Sequence, residues 1–248
     1  IRNLEELKPL FKGIDGVFHL AALPRVQYSI EHPIETQEVN ITGTLNVILA
    51  SKEGGVKRIV YSASSSAYGD PLGLPQDESM LPKPKSPYGL QKYVGEHLMR
   101  LWSEIYGIET ACLRYFNVFG PRQSSEGAYA QVIARFLGQR KAGKAMTIAG
   151  DGSQTRDFAH VRDVARANML AMKSDRVGKG EVMNIGGGKN YSVLQIAQMI
   201  GGEYVHGEPR IEPHDTLADT TRAEFLIGWK PQENFEAGIE ELKKIAGL

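Results

Sequence analysis

Three short apolar runs, alternating with segments of helical spacing, constrain this chain more than any other feature in it. Gly16-Val-Phe-His-Leu-Ala-Ala22, Lys57-Arg-Ile-Val-Tyr-Ser62 and Glu109–Tyr115 have the length and residue types of buried strands. Between the first two, residues 34–54 place Val39, Leu45, Val47, Ile48 and Leu49 at helical intervals. Between the second and third, Ser86-Pro87 supplies an N-cap and a proline at the first helical position, and the helix runs to about Tyr106. Repeated βα order predicts an α/β fold with a parallel sheet. Right-handed crossovers then bring the carboxyl ends of the strands to one edge, where such sheets bind ligands.

From about Gly120 the pattern changes. Loops lengthen and glycines cluster in Gly150-Asp-Gly152, Gly186-Gly-Gly188 and Gly201-Gly202. Helical spacing predicts helices over 128–141, 161–173, 192–200 and 235–245. The expected division is a first lobe over 1–119 and a smaller α/β lobe over 120–248. The two interlace, with about 160–190 packing back on the first sheet.

Charge and cysteine content exclude several classes. The 29 basic and 29 acidic residues cancel, which argues against binding nucleic acid by bulk charge but leaves room for a local phosphate pocket. Cys112 is the sole cysteine, so no internal disulfide forms, and a reducing, cytoplasmic location is expected. Its apolar setting, Thr110-Ala-Cys-Leu113, points to packing rather than nucleophilic chemistry. No apolar run approaches the ~20 residues of a membrane span. His19, His32, His97, His160, His206 and His214 are scattered, and no Cys/His cluster has metal spacing, so no metal is expected. The opening Ile1-Arg-Asn-Leu4 has neither Met nor a signal-peptide pattern and reads as the interior of a longer protein.

Two motifs carry chemistry. In Tyr88-Gly-Leu-Gln-Lys92, tyrosine and lysine four apart near a helix start project from one face. An ammonium nearby favours phenolate, which makes Tyr88 a plausible base; two solvated surface residues are the alternative. In Tyr61-Ser-Ala-Ser-Ser-Ser-Ala-Tyr-Gly69, hydroxyls crowd the carboxyl end of a predicted strand. Ser64 can bond a substrate hydroxyl there and steer its proton toward Tyr88; a serine turn capping a strand is the alternative.

Together these residues resemble the extended short-chain dehydrogenase/reductases, of the NAD-dependent epimerase/dehydratase type, at their Ser…Tyr-x-x-x-Lys triad. Further matches follow in order: His19-Leu-Ala-Ala22, Val39-Asn40 with Gly43-Thr-Leu-Asn46, Leu113-Arg-Tyr-Phe-Asn-Val-Phe-Gly-Pro-Arg122, and Gly150-Asp-Gly-Ser-Gln-Thr-Arg-Asp-Phe-Ala-His160. The resemblance spans essentially the whole chain. It implies a Rossmann-type parallel sheet, the N-terminal βαβ units of which are missing, and a smaller nucleotide-sugar lobe. It implies Tyr88 as base, Lys92 on the nicotinamide ribose and Ser64 on the sugar hydroxyl. NAD is expected against Leu20, Ala21, Ala22, Asn40, Ser62, Tyr88, Lys92, Tyr115 and Phe116. The UDP-sugar is expected against Ser64, Ser65, Asn117, Arg156, Arg210, Glu212 and Thr216. For Arg156, a surface salt bridge with Asp157 is the competing reading. The family's Gly-x-x-Gly-x-x-Gly turn is not found; Gly186-Gly-Gly188 lacks its spacing and lies too late. About two βα units, roughly 30 residues each, are therefore expected to be absent.

Within that family the residues favour a UDP-hexose 4-epimerase. Dehydratases carry Thr-Asp-Glu where Ser64-Ser65-Ser66 stands, and related decarboxylases tend to carry a glutamate there. Serines cannot supply the carboxylic proton that elimination needs. Gly127-Ala-Tyr-Ala130 resembles the 4-epimerases that act on UDP-N-acetylhexosamines as well as plain UDP-hexoses, and the small Thr216 leaves room for a 2-acetamido group or only packs its loop. Arg25, followed by Gln27, lies at the sugar end and suits a C6 carboxylate, as in UDP-glucuronate, or solvent. An inactive nucleotide-binding fragment is the reading from another class. The resemblance also implies a homodimer, formed through the helices of 34–54 and 86–106.

Overall fold

The computed structural model describes residues 1–70, 73–124, 131–208 and 214–248. In chain order the elements are α1 (Leu4–Leu7), β1 (Gly16–His19), α2 (Val26–Glu31), α3 (Pro33–Gln37), α4 (Gly43–Gly54), β2 (Arg58–Ser64), α5 (Pro87–Tyr106), β3 (Glu109–Tyr115), α6 (Val132–Lys141), β4 (Met146–Ala149), β5 (Thr155–Asp157), α7 (Val161–Lys173), β6 (Lys179–Ile185), β7 (Asn190–Ser192), α8 (Val193–Ile200), β8 (Tyr204–Gly207), α9 (Thr221–Ile227) and α10 (Phe235–Ala246).

The main sheet runs β1-β2-β3-β6, all parallel. Its register sets His19 beside Tyr61, Ser64 beside Tyr115, and Tyr115 beside Ile185. The carboxyl ends thus reach one edge. All seven residues of β2 are buried. The strand therefore reads as a continuous apolar run rather than an alternating one, because both faces are covered. On one face Ile59, Tyr61, Ala63 and Cys112 pack with Ile48 of α4 and Met99 of α5. On the other, Val60, Leu113 and Met183 pack with Val164, Ala167 and Ala171 of α7 and with Trp229. β6 and α7 follow residue 120 in sequence yet complete this first sheet.

The remaining elements gather around a second core of Phe119, Ile133, Phe136, Ile148, Phe158, Ile196, Phe235 and Ile239. β4 pairs in parallel with β8, and β5 pairs antiparallel with β7.

The helix predicted over 34–54 is not continuous. A π-helical turn, Glu38–Thr42, separates α3 from α4. Such turns recur at functional sites, and this one holds Asn40, whose side chain leaves the helix to meet a loop. The helix predicted over 128–141 starts at Val132, and its first three residues lie outside the described ones. The 161–173 helix has the expected bounds.

α5 shows how sequence places chemistry. Ser86 caps it, accepting from the Gly89 N–H at 3.1 Å, and Pro87 occupies its first turn. Gly107, at φ +69°, ends it. Two internal glycines cost helix propensity, and close packing explains both. A Cβ on Gly89 would lie 2.5 Å from the Ser66 carbonyl, and one on Gly95 would lie 2.1 Å from the Tyr61 hydroxyl.

Candidate active site

Gly89 lets the start of α5 sit directly against the serine turn that follows β2. The Tyr88 N–H is anchored by Ser29 Oγ of α2 at 3.0 Å. Its phenol lies near Ser64, which caps the turn by accepting the Ser66 N–H at 3.2 Å. One helical turn on, the Lys92 Nζ donates to the Ser62 carbonyl at 2.8 Å and lies 5.0 Å from the Tyr61 ring centroid. Sequence pairing of Ser64, Tyr88 and Lys92 is thus matched by one cluster at the sheet edge.

Burial sets the electrostatics here. It pushes the Lys92 ammonium down to about 8, with the Glu96 charge opposing. His19, whose Nε2 lies 2.9 Å from Thr44 Oγ1, is pushed down to about 3 by burial and then by the Lys92 charge. Burial also lifts the Tyr88 phenol above its ordinary value, with the Ser64 bond opposing. The expected lowering of Tyr88 is therefore not supplied by the protein's own groups, because the Lys92 ammonium is directed at Ser62 rather than at the phenol.

Of the residues expected around the cofactor, Leu20 is 57% exposed and Ala21 is exposed, both just past β1, while Ala22 is half-buried. Asn40 grips both sides of Leu23, accepting its N–H at 2.8 Å and donating to its carbonyl at 3.1 Å, and also donates to Gln91 on α5 at 2.8 Å. It shapes this loop through side-chain bonds. Ser62 Oγ meets the Tyr115 hydroxyl at 3.1 Å, and Asn168 of α7 donates to that hydroxyl at 2.8 Å. Phe116 is fully buried, its N–H donates to Ile185, and its carbonyl accepts from Ala159. Its backbone joins the lobes, and no N–H remains there for a ligand.

Of the residues expected around the sugar nucleotide, Asn117 holds the left-handed φ of +27°, rare for a non-glycine. It donates to the Asp157 carbonyl at 2.7 Å. Arg156 is buried, with its guanidinium donating to the Thr155 and His214 carbonyls at 2.8 Å each. The Asp157 carboxylate accepts from the backbone of Gly187, Gly188 and Ala218. Thr216 is buried, and its hydroxyl accepts the Asp157 N–H at 3.2 Å. Ser65 is half-buried in the turn after Ser64. Arg25 precedes α2, and Gln27 bonds the exposed Glu31. Arg210, Glu212 and Gly127-Ala-Tyr-Ala130 lie outside the described residues.

Sequence reasoning missed Glu96 and Arg114. They form a buried two-bond pair, at 2.8 and 2.7 Å, and Arg114 lies 4.5 Å from the Tyr68 ring. Glu96 is four residues beyond Lys92, so the same helical spacing that exposed Tyr88–Lys92 contains the signal. Among the described residues no group of His, Cys, Asp or Glu is arranged to hold a metal ion. No helix among them is long and apolar enough to cross a membrane.

A parallel sheet with a buried Ser–Tyr–Lys cluster at its carboxyl edge defines the class: a short-chain dehydrogenase/reductase fold. The model for the NAD dependent epimerase/dehydratase family matches residues 1–186. A putative UDP-glucose 4-epimerase of Methanocaldococcus jannaschii is 40% identical, covering 97% of this chain and 79% of that protein. The UDP-glucose 4-epimerase of Thermotoga maritima with UDP-glucose superposes with a TM-score of 0.92 at 35% identity, covering 98% of this chain and 82% of the other. The UDP-N-acetylglucosamine 4-epimerase of Methanobrevibacter ruminantium in complex with UDP-N-acetylmuramic acid gives 0.91 at 34%, covering 98% and 80%. The chain belongs to the NAD-dependent epimerase/dehydratase family.

Proposed function

We propose that this protein is an NAD-dependent UDP-sugar 4-epimerase that inverts C4 of UDP-glucose or UDP-galactose, and of their 2-acetamido counterparts, through a transient 4-keto sugar. The observation that carries this reading is Ser64 within reach of Tyr88, with Lys92 behind it, and Ser65 and Ser66 where an elimination would need a carboxylic acid.

The residues fit a dinucleotide. An ammonium has three donors; among the described residues Lys92 has one acceptor, so capacity remains for ribose hydroxyls. Bound NAD supplies the oxidising equivalent that takes hydride from C4 and returns it to the opposite face. Ser64 orients the C4 hydroxyl and Tyr88 removes its proton. Lys92 stands one helical turn behind Tyr88, where its ammonium would hold the nicotinamide ribose, and a cationic ring bound there would favour the phenolate. Arg156 and Asn117 hold the diphosphate, the guanidinium offering a bidentate fork to phosphate oxygens. Thr216, small and inward, suits a 2-acetamido group. Residues 1–119 and 120–248 act as cofactor and sugar lobes. Exposed Leu90, Leu101 and Ile105 form an apolar stripe on α5 that suits a homodimer; sedimentation at twice the monomer mass is the expected result.

The test is turnover with NAD on UDP-glucose, UDP-N-acetylglucosamine and UDP-glucuronate separately, following the sugar C1 proton by NMR. Appearance of the C4 epimer, lost in Tyr88→Phe, is expected. Epimer from UDP-glucuronate alone would move the substrate to the acid sugar and give Arg25 the C6 carboxylate. No epimer from any of the three, despite UDP binding, would sink the epimerase reading.

A further inference from the structure

We propose that Asp157 is a positioning residue that sets the UDP-binding geometry without touching the ligand. This rests on the reading above, in which Arg156 and Asn117 hold the diphosphate.

Asp157 is fully buried, 0% exposed, at the end of β5. Its bonds join four segments. The carbonyl accepts from Asn117 at 2.7 Å, and the N–H donates to Thr216 at 3.2 Å. The carboxylate accepts from Gly187, from Gly188 at 3.4 Å, and from Ala218 at 2.9 Å. Three substrate-binding positions, Asn117, Arg156 and Thr216, are therefore bonded to Asp157 or adjacent to it in the chain. The Arg156 guanidinium bonds the His214 carbonyl, on the segment that Thr216 and Ala218 tie to Asp157.

This arrangement accounts for Gly186 and Gly187. A Cβ on Gly186 would lie 2.6 Å from the Asp157 carboxylate and 2.5 Å from the Ala218 Cβ. One on Gly187 would lie 2.3 Å from the Phe158 carbonyl. At 186 and 187 a side chain would collide with the groups around the carboxylate, so this stretch approaches it only as glycine. A buried carboxylate is tolerated when hydrogen-bonded, and charge-assisted bonds from backbone N–H groups are strong and directional. Burial still lifts this carboxyl to about 6, against the pull of the three N–H groups. Asn117 keeps its left-handed backbone because its side chain is tied to the same residue.

The experiment uses UDP binding by calorimetry and steady-state KM and kcat for wild type, Asp157→Asn, Gly187→Ala and Arg156→Lys. In Asp157→Asn an amide NH2 faces backbone N–H donors. The expected result is a UDP Kd and a substrate KM raised about 10-fold or more, with kcat at saturation falling much less, and NAD content retained. Gly187→Ala changes no charge and should give the same split by displacing the same loop. If Arg156→Lys weakens UDP while both Asp157→Asn and Gly187→Ala bind it like wild type, the positioning role is overturned and the diphosphate site stands. If wild type binds no UDP, or Arg156→Lys leaves binding untouched, the diphosphate reading fails and takes this inference with it. Equal losses of kcat, NAD content and UDP affinity would mark a merely structural residue and also overturn it.

Discussion

The two ends of the candidate site each bury an ionisable side chain, Lys92 at one and Asp157 at the other. Lys92 sits in the second turn of a long helix, four residues from Tyr88, and bonds a single carbonyl among the described residues, that of Ser62. Asp157 sits at the end of a three-residue strand and takes N–H bonds from residues 30 to 61 positions away. The lysine keeps hydrogen-bonding capacity for a ligand, whereas the aspartate's acceptors face the protein's own backbone. The difference separates a group suited to chemistry from one suited to holding loops together, although burial disfavours the charged form of both.

Lys92→Met should break the first end alone. A fall in kcat on the order of 10²- to 10⁴-fold is expected, with UDP affinity by calorimetry unchanged within about 2-fold. Loss of UDP affinity in the same variant would erase the separation between the ends. Glu96→Gln should act on stability at that end. It leaves Arg114 buried without its counter-ion, and removing one partner of such a pair costs about 3–5 kcal/mol. A urea titration reads this, and a midpoint equal to wild type would show that the pair contributes nothing. Arg156→Lys should mirror the lysine variant. Loss of a charge-assisted fork, about 1.5–3 kcal/mol, weakens UDP roughly 10- to 100-fold while kcat changes less.

The smallest effect is in pH, and the two ends should oppose one another. His19, beside Lys92, is depressed from the ordinary 6.5 to about 3. Its contribution to stability is present above pH 6.5 and is lost as pH falls toward 3, by roughly 1.4 kcal/mol per pH unit. Asp157 is raised from 3.8 to about 6. Its contribution is present below pH 3.8 and is lost as pH rises through 6. Acidifying from pH 7 to 4.5 should therefore cost His19→Asn less stability than wild type and Asp157→Asn more. Thermal midpoints at the two pH values check both signs; parallel shifts in all three proteins would show that neither group is coupled to folding.

The same contrast explains what was legible in the sequence. Tyr88 and Lys92 are one helical turn apart, and Ser86-Pro87 announces the helix, so that end can be read from local spacing. The βα alternation that defines the sheet is local as well. Asp157 cannot be found that way, because nothing near residue 157 encodes Gly187 or Ala218 as its partners. Gly186-Gly-Gly188 was conspicuous, but its purpose, close approach to a carboxylate, exists only in the folded chain. The break at Glu38–Thr42 was hidden because the apolar spacing continues across it, whereas the bonds of Asn40 to Leu23 that accompany it join residues 17 apart. β4, β5, β7 and β8 are three or four residues long, too short for a period-2 pattern to register.

Cys112 lies at the centre of β3, fully buried between Tyr61 and Val182 on the neighbouring strands, and burial pushes its thiol well above the ordinary range. A thiol so enclosed is inert to alkylating reagents while the sheet is closed. As the chain's sole cysteine it is a built-in stopwatch: the rate at which it takes up a label measures how often the middle of the sheet comes apart, with no probe to engineer and no second thiol to confuse the count.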